Sequence, residues 1–385
     1  METVLLIMAI ATLIYLLFIV LEIIIGFNKI KNLTKQSVLQ TDQLPSLSII
    51  LSALNEEKNI EDALLSLIAL DYPDLEIIAV NDRSTDQTAA ILERLKQEHP
   101  RLRTYTITQL PPGWFGKNHA LYFASQKARG EWLLFTDADV IMKKDTLLKT
   151  MSYVLEHQLD HLTIYEHHHR SNFWLKILLL GHYVTYSIAM KPWRIRYSWS
   201  KKSLGHGAFN LVRRQAYKEC GGHHAIPMEC LDDLKLGKLL KTNGFNQDTV
   251  DGRAYIKREW YTSLKDMIHG WKKNSFAYYE YHILPTVRDM LLAILFYIWP
   301  FVAVATFSGP IRWFNTLNIF FTLFTSAYIA KQFRLQIRYA VFYPIAIILM
   351  IYTVLNSLLS ITLNRGVTWR GTYYSLKDIH RKTPP

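Results

Sequence analysis

Residues 4–25 are an almost unbroken run of Leu, Ile, Val, Met, Ala and Phe in which Glu22 is the one charged side chain. Coiled as a helix at about 1.5 Å per residue, the run reaches across a hydrocarbon layer of about 30 Å. Lipid offers no hydrogen bonds to a backbone, so a segment like this is confined to a helix that satisfies its own N–H and C=O groups. Lys29, Lys31 and Lys35 follow the run instead of preceding it, which argues against a cleaved leader with a basic head. The positive-inside rule then predicts the N-terminus outside and the next segment inside. Glu22, near the inner end, is expected to snorkel toward water.

The rest of the chain repeats the theme at its far end. Apolar runs at 287–307, 317–329 and 340–361 predict further membrane helices. The middle run is short and Pro300 interrupts the first, so the pattern admits three spans, or two with a re-entrant or interfacial piece. The tail carries Arg365, Arg370, Lys377, Arg381 and Lys382, which favours an even number of crossings and an inside tail. Residues 173–193 are less regularly apolar, with Trp174, Trp193, His182, Tyr183 and Tyr186; that mixture suits a helix lying in the membrane interface. The expected organisation is a membrane helix at 1–28, an inside domain at 45–282 with an interfacial segment at 173–193, a membrane region of two to three spans at 285–362, and a basic tail at 363–385.

The formal charge of +12 is spread along the chain without the compact basic helix or finger spacing of nucleic-acid modules. No nucleic acid is expected; an anionic lipid surface and a phosphorylated substrate are. Cys220 and Cys230 have neither zinc-site nor disulfide-framework spacing, and read as reduced thiols.

Between the apolar regions, short β-rich runs alternate with helical periodicity, the pattern of an α/β domain with a mostly parallel, Rossmann-like sheet. Strands are predicted at 47–53, 75–80, 102–106 and 132–135, with helices near 57–70, 86–98 and 117–129. Ligands of such sheets gather beyond the carboxyl ends of the strands. There the first strand places Asn55, Glu56 and Glu57, and the second Asn81, Asp82, Arg83, Ser84, Thr85 and Asp86. Asp82 is suited to accept the imide N–H of a uracil ring. The loop at 111–121 sets Gly113 and Gly116 before Lys117 at a helix start, where backbone N–H groups favour phosphate. Its spacing is not that of a P-loop, which argues against an ATPase.

The run at 131–140 ends a strand in Asp137, Ala138 and Asp139. Two carboxylates this close repel unless a cation or proton lies between them, and Mg2+ or Mn2+ completed by substrate phosphates and water resolves the conflict. A second acidic pair, Asp232 and Asp233, opens a helix; Asp233 is the candidate general base and Asp232 its orienting partner. His167, His168 and His169 are consecutive, so their side chains diverge and do not form a chelate. His206, between Gly205 and Gly207, is a candidate contact on the acceptor side, and His223 and His224 carry no assignment.

In this order, the motifs resemble glycosyltransferase family 2, inverting nucleotide-sugar transferases of GT-A fold. The resemblance covers residues 45–280 and rests on Asn55-Glu56-Glu57, Asp82 with Ser84-Thr85-Asp86, Lys117, the Asp137-Ala138-Asp139 (DXD) motif, and Asp232-Asp233 where the family usually has Glu-Asp. It implies that the first strand end and Asp82 hold the nucleoside, that Lys117 lies near ribose or phosphates, that Asp137 and Asp139 meet nucleotide and metal, and that Asp233 is the base. Processive members carry Gln-x-x-Arg-Trp after the base. Here the stretch runs Met267, Ile268, His269, Gly270, Trp271, so Trp271 remains, as an acceptor-side candidate, without the Gln and Arg. The runs around Trp271 and at 365–374 are similar to membrane-bound members that glycosylate lipids, namely ceramide glucosyltransferases, hopanoid-associated enzymes and carotenoid-acid glucosyltransferases. The resemblance implies a metal-dependent hexosyltransferase of the bacterial inner membrane, its catalytic domain cytoplasmic, moving one sugar from a nucleotide-sugar to a membrane lipid. A processive polysaccharide synthase and a non-catalytic membrane scaffold are the alternatives.

Overall fold

Seven aliphatic-rich residues, Leu47–Ala53, make the central strand because side chains of alternate residues can be buried on both faces at once. Ile49 and Leu51 pack with Leu134, Leu64 and Leu67 on one side, while Ile50 packs with Leu133, Phe135, Leu121 and Ala124 on the other. Sheets covered on both faces read in sequence as continuous apolar runs. The computed structural model describes residues 1–39, 44–168, 172–258 and 260–381, and the chain forms two units.

The first unit comprises Ile30–His169, Pro192–Trp260 and Gly366–Pro385. Its strands are β1 (Lys31–Asn32), β2 (Leu47–Ala53), β3 (Leu75–Asp82), β4 (Leu102–Ile107), β5 (Trp132–Phe135), β6 (Val140–Met142), β7 (His161–Tyr165), β8 (His167–His168), β9 (Asn210–Arg213), β10 (Gln247–Asp251), β11 (Ile256–Arg258), β12 (Gly366–Trp369) and β13 (Thr372–Ser375). Eight of them form one sheet in the order β1-β10-β7-β9-β5-β2-β3-β4, parallel except that β9 runs against both neighbours. The chain steps outward from β2 through β3 to β4 and then returns to the other side of β2 as β5. This reversal opens a crevice beyond the carboxyl ends of β2 and β5. A small sheet, β6-β11-β8, and the hairpin β12-β13 complete the unit. The predicted strands at 47–53 and 132–135 are found as expected, and the other two extend further, to Asp82 and Ile107. The predicted helices occur as Ile60–Ile68, Thr88–Glu98 and Gly116–Lys127.

The second unit comprises Met1–Lys29, Arg170–Lys191 and Tyr261–Arg365. By length and composition, four helical stretches among the described residues are apolar enough to cross a membrane: Glu2–Phe27, Phe173–Arg194, Ile283–Thr306 and Ile337–Leu363. Pro300 does not end the helix that carries it. A wide π turn, Ile294–Ile298, precedes it, and Pro300 falls at the start of Trp299–Thr306, where its missing N–H is least costly. Helix Gly309–Gln332 buries Asn315, Asn318, Thr322 and Ser326, and the Asn318 side chain donates to the Ala9 carbonyl at 3.0 Å. The Glu22 carboxylate lies 2.6 Å from Lys191 Nζ, since a carboxylate held among helices is cheaper paired than alone.

Candidate active site

The carboxyl ends of β2 and β3 are in register, Ala53 opposite Asn81, and each is followed two residues later by a left-handed residue, Asn55 at φ 55° and Arg83 at φ 60°. The two turns then hydrogen-bond to each other. Asn55 N–H donates to Ser84 Oγ, Thr85 N–H to Asn55 Oδ1, and Glu57 N–H to Asp86 Oδ2, at 3.0, 2.8 and 3.1 Å. Asn55, Glu57, Ser84 and Asp86 thus shape the strand ends, while Glu56 turns elsewhere, to the guanidinium of Arg370 in the β12-β13 turn.

Asp82 is buried, and its two carboxylate oxygens accept from Arg83 Nε and Nη2 at 2.8 and 3.0 Å. Gly116 lies directly against this pair: a Cβ there would stand 2.4 Å from Asp82 Oδ2 and 2.5 Å from Arg83 Nη2. The glycine brings the start of helix Gly116–Lys127 onto the β3 end and aims Lys117 inward. Lys117 Nζ sits 2.9 Å from Asp137 Oδ1 and 3.3 Å from Asp232 Oδ2. Burial alone would lower its pKa, but Asp137, Asp232 and Asp233 outweigh it and hold the ammonium charged.

The DXD carboxylates follow β5. Arg258, on β11, reaches them because β11 runs antiparallel to β6 with Arg258 opposite Val140, the residue after Asp139. Its Nη1 lies 3.0 Å from Asp137 and its Nε 3.1 Å from Asp139. Burial still pushes the Asp139 carboxyl above its usual range in spite of Arg258. Asp232 and Asp233 form the first turn of helix Asp232–Thr242. Gly205 and Gly207 wedge between that turn and the DXD motif: a Cβ would meet the Asp233 carbonyl at 1.9 Å from Gly205 and Asp137 Oδ2 at 2.6 Å from Gly207. His206 between them has Nδ1 3.5 Å from Glu166.

The structure therefore gathers Lys117, Asp137, Asp139, Asp232, Asp233 and His206. Trp271 belongs to the helical unit, buried with its ring 4.7 Å from that of His182. His169 and the side chains of His167 and His168 lie outside the described residues. Two contributors carried no sequence signal. Arg258 is one, an ordinary basic residue in a short strand. His223 is the other: buried, with Nδ1 3.0 Å from Tyr217 Oη and Nε2 4.0 Å from Asp232, and driven by burial to a pKa of about 4, hence neutral.

The donor set suits a hard divalent cation. Four aspartates converge on two cations, Lys117 and Arg258, which leaves negative charge in excess. Asp139 Oδ1 is buried with no hydrogen-bond partner among the described residues, although a buried carboxylate oxygen ordinarily has one. No three His, Cys, Asp or Glu among the described residues converge on one position. An ion here would take one or two carboxylates and fill its shell with phosphate oxygens and water, as Mg2+ does.

A largely parallel sheet with acidic strand ends around its switch point, a DXD pair and an opposing acidic helix start defines a GT-A-type glycosyltransferase domain. Residues 48–221 match the family model of glycosyl transferase family 2, and the chain carries that domain. Among curated proteins it is similar to 4,4'-diaponeurosporenoate glycosyltransferases of Staphylococcus aureus, 24% identical over 232 residues in strain USA300 and 25% over 235 in strain bovine RF122. The matched stretch spans 60% of this chain and 60% of those relatives. Among solved structures, a mannosyltransferase from Pyrobaculum calidifontis, in complex with GDP-Man and Mn2+, superposes with a TM-score of 0.53 at 19% identity, over 91% of this chain and 99% of that one.

Proposed function

We propose that the protein is a membrane-bound inverting glycosyltransferase that moves one sugar from a nucleotide-diphosphate sugar, read here as a UDP-sugar, to a lipid alcohol or lipid carboxylic acid. The observation that carries this reading is the Lys117 bridge from Asp137 to Asp232. It joins the carboxylate pair beside the nucleoside-binding strand ends to the acidic pair assigned to the acceptor.

Glu56 and Asp82 hold the nucleoside, with Asp82 backed by Arg83. Asp137 and Asp139 would hold Mn2+ or Mg2+, which supplies positive charge opposite the departing diphosphate. Lys117 and Arg258 hold the two carboxylates in place. Asp233 removes the proton from an acceptor hydroxyl; the oxygen forms its bond to the anomeric carbon as the bond to the diphosphate breaks on the opposite face, inverting the centre. The Asp233 carboxyl is pushed above its usual range by burial and by Asp232, which strengthens it as a proton acceptor. His206 is the acceptor-side candidate of the sheet unit, and Trp271, in the helical unit, is an acceptor-side candidate from its sequence motif alone. The relatives' name, an -oate acceptor, supports an apolar carboxylic acid.

Connectivity supports the membrane arrangement. The helix Phe173–Met190 leaves after β8 and returns before β9, both strands of the sheet unit; an in-plane, interfacial helix meets that condition without crossing. The stretch at 261–365 also leaves that unit and re-enters it, which supports an even number of crossings and a tail on the same side as the catalytic domain, read as the cytoplasmic side.

Detergent-solubilised protein would be incubated with a panel of nucleotide-sugars, Mn2+ or Mg2+ and total lipid extract, and the products identified by mass spectrometry. A lipid carrying one added hexose is expected. Absence of any glycolipid with every donor would overturn the reading, and products with many added sugars would favour a processive synthase.

A further inference from the structure

The hairpin β12-β13, residues 366–375, lies at the far end of the chain from the DXD motif, yet it closes onto the two strand ends assigned to the nucleoside. Its turn is the tightest available. Trp369 pairs with Thr372, leaving Arg370 and Gly371 at φ 46° and 79°, the two left-handed residues of a type I′ turn. Glycine or asparagine is the ordinary choice at the first of these positions, and an arginine there strains the backbone. The side chain repays that strain by leaving the hairpin altogether: the Arg370 guanidinium donates to the Leu54 carbonyl and to Glu56 Oε1.

Two more contacts widen the footprint. Thr372 Oγ1 accepts from Arg83 Nη1 at 3.4 Å, on the same guanidinium that holds Asp82. Tyr374 Oη accepts from the Gly116 N–H at 3.2 Å, and its ring packs on Phe115 at 4.0 Å. The hairpin therefore touches the β2 end, the β3 end and the glycine loop before Lys117, three separate walls of the crevice. A hairpin of this length has no need of all three for its own stability.

Resting on the donor-site reading above, we propose that the hairpin is the fourth wall of the nucleoside pocket and that Arg370 is a positioning residue for the donor. Arg370 orients the Glu56 carboxylate so that an oxygen meets the ribose hydroxyls, and Tyr374 fixes the Gly116 loop at the height the nucleoside requires. The ligand is the nucleoside half of a nucleoside diphosphate; the sugar and the acceptor lie beyond the hairpin's reach. Arg370 thus acts on donor affinity and leaves the chemical step alone.

The test uses full-length protein in detergent with Mn2+. Binding of UDP and of GDP to the wild type is measured first by calorimetry, and if neither binds, the donor-site reading fails before the hairpin is tested. Given binding, Arg370→Met should weaken it about tenfold, equal to about 1.4 kcal/mol, and raise the donor KM to match while kcat changes less than about twofold. Arg370→Lys should recover part of the loss, and Tyr374→Phe, which removes one oxygen and keeps the ring on Phe115, should weaken binding without a change in melting temperature. The double variant Glu56→Gln with Arg370→Met should be no worse than the more affected single variant, because both remove one unit. Wild-type donor KM and nucleotide affinity in Arg370→Met would overturn the proposal, as would a fall in kcat at unchanged KM or strictly additive effects of Glu56 and Arg370.

Discussion

Replacing Arg258 by Met removes the cation lying across Asp137 and Asp139 and keeps a side chain of similar reach. The guanidinium is 3.0 Å from one carboxylate and 3.1 Å from the other. At an effective dielectric of about 20, each contact is worth about 5 kcal/mol before desolvation is set against it. Breaking a buried pair by removing one partner costs about 3–5 kcal/mol net. In a domain of this size that corresponds to a melting temperature lower by about 10 °C. The measurement is thermal unfolding of the full-length protein in detergent, followed by tryptophan fluorescence, first in EDTA and then with Mn2+. The variant should recover part of the loss when Mn2+ is added, and its gain should exceed that of the wild type, because the ion replaces the charge that Arg258 supplied. A variant that melts within about 2 °C of the wild type in EDTA, or equal gains from Mn2+ in both proteins, would refute the electrostatic account of the site.

Asp139→Asn should abolish sugar transfer while leaving the melting temperature close to that of the wild type, since Arg258 keeps Asp137 as a partner; a fully active variant removes Asp139 from the site. Asp233→Asn should slow transfer to a lipid alcohol by about 100-fold or more yet spare transfer to a lipid carboxylate, which arrives without a proton; parallel assays with the two acceptor types decide this, and equal losses would deny Asp233 the role of base. Because the Asp233 carboxyl is held above the ordinary 3.8 by burial and by Asp232, and only its ionised form accepts a proton, kcat/KM for an alcohol acceptor should fall as the pH drops through that raised value. The limb should be missing when a carboxylate is the acceptor. His161 is buried beside Asn210, and burial holds its pKa at about 4 against 6.5 in the unfolded chain. Between those values only the unfolded state binds the proton, so stability is complete above pH 6.5 and declines by about 3 kcal/mol as the pH falls to 4. His161→Gln should flatten that decline in melting scans, and an unaltered pH profile would contradict it.

Much of the site was legible because its members end strands or begin helices, and those positions follow from local pattern. Short, nearly continuous apolar runs at 47–53 and 132–135 identify two strands to the residue, and the polar groups just beyond them must then stand at the crevice. Asn55 and Glu57 show the limit of that reasoning. Both are at the predicted strand end, but the structure uses them to bind the second turn at 84–86. Lys117 was expected near ribose or phosphates, and the fold also brings it onto Asp137 and Asp232, acids that stand far from it in the chain.

What the sequence determines alone is whatever depends on neighbours along the chain: the apolar helices, the α/β alternation, the DXD pair and the acidic start at Asp232. The tertiary structure decides which charges face them. Arg258 reaches Asp139 from a position 119 residues away, and Arg370 reaches Glu56 from 314. An isolated arginine has no periodicity and no flanking pattern to mark it, and its partner is set by strand register in one case and by the return of the chain from its helical unit in the other. The carboxylate pair is therefore a property of the sequence, whereas its pairing with Arg258, the contact of the hairpin with the β2 and β3 ends and the neutral His223 beside Asp232 are properties of the fold.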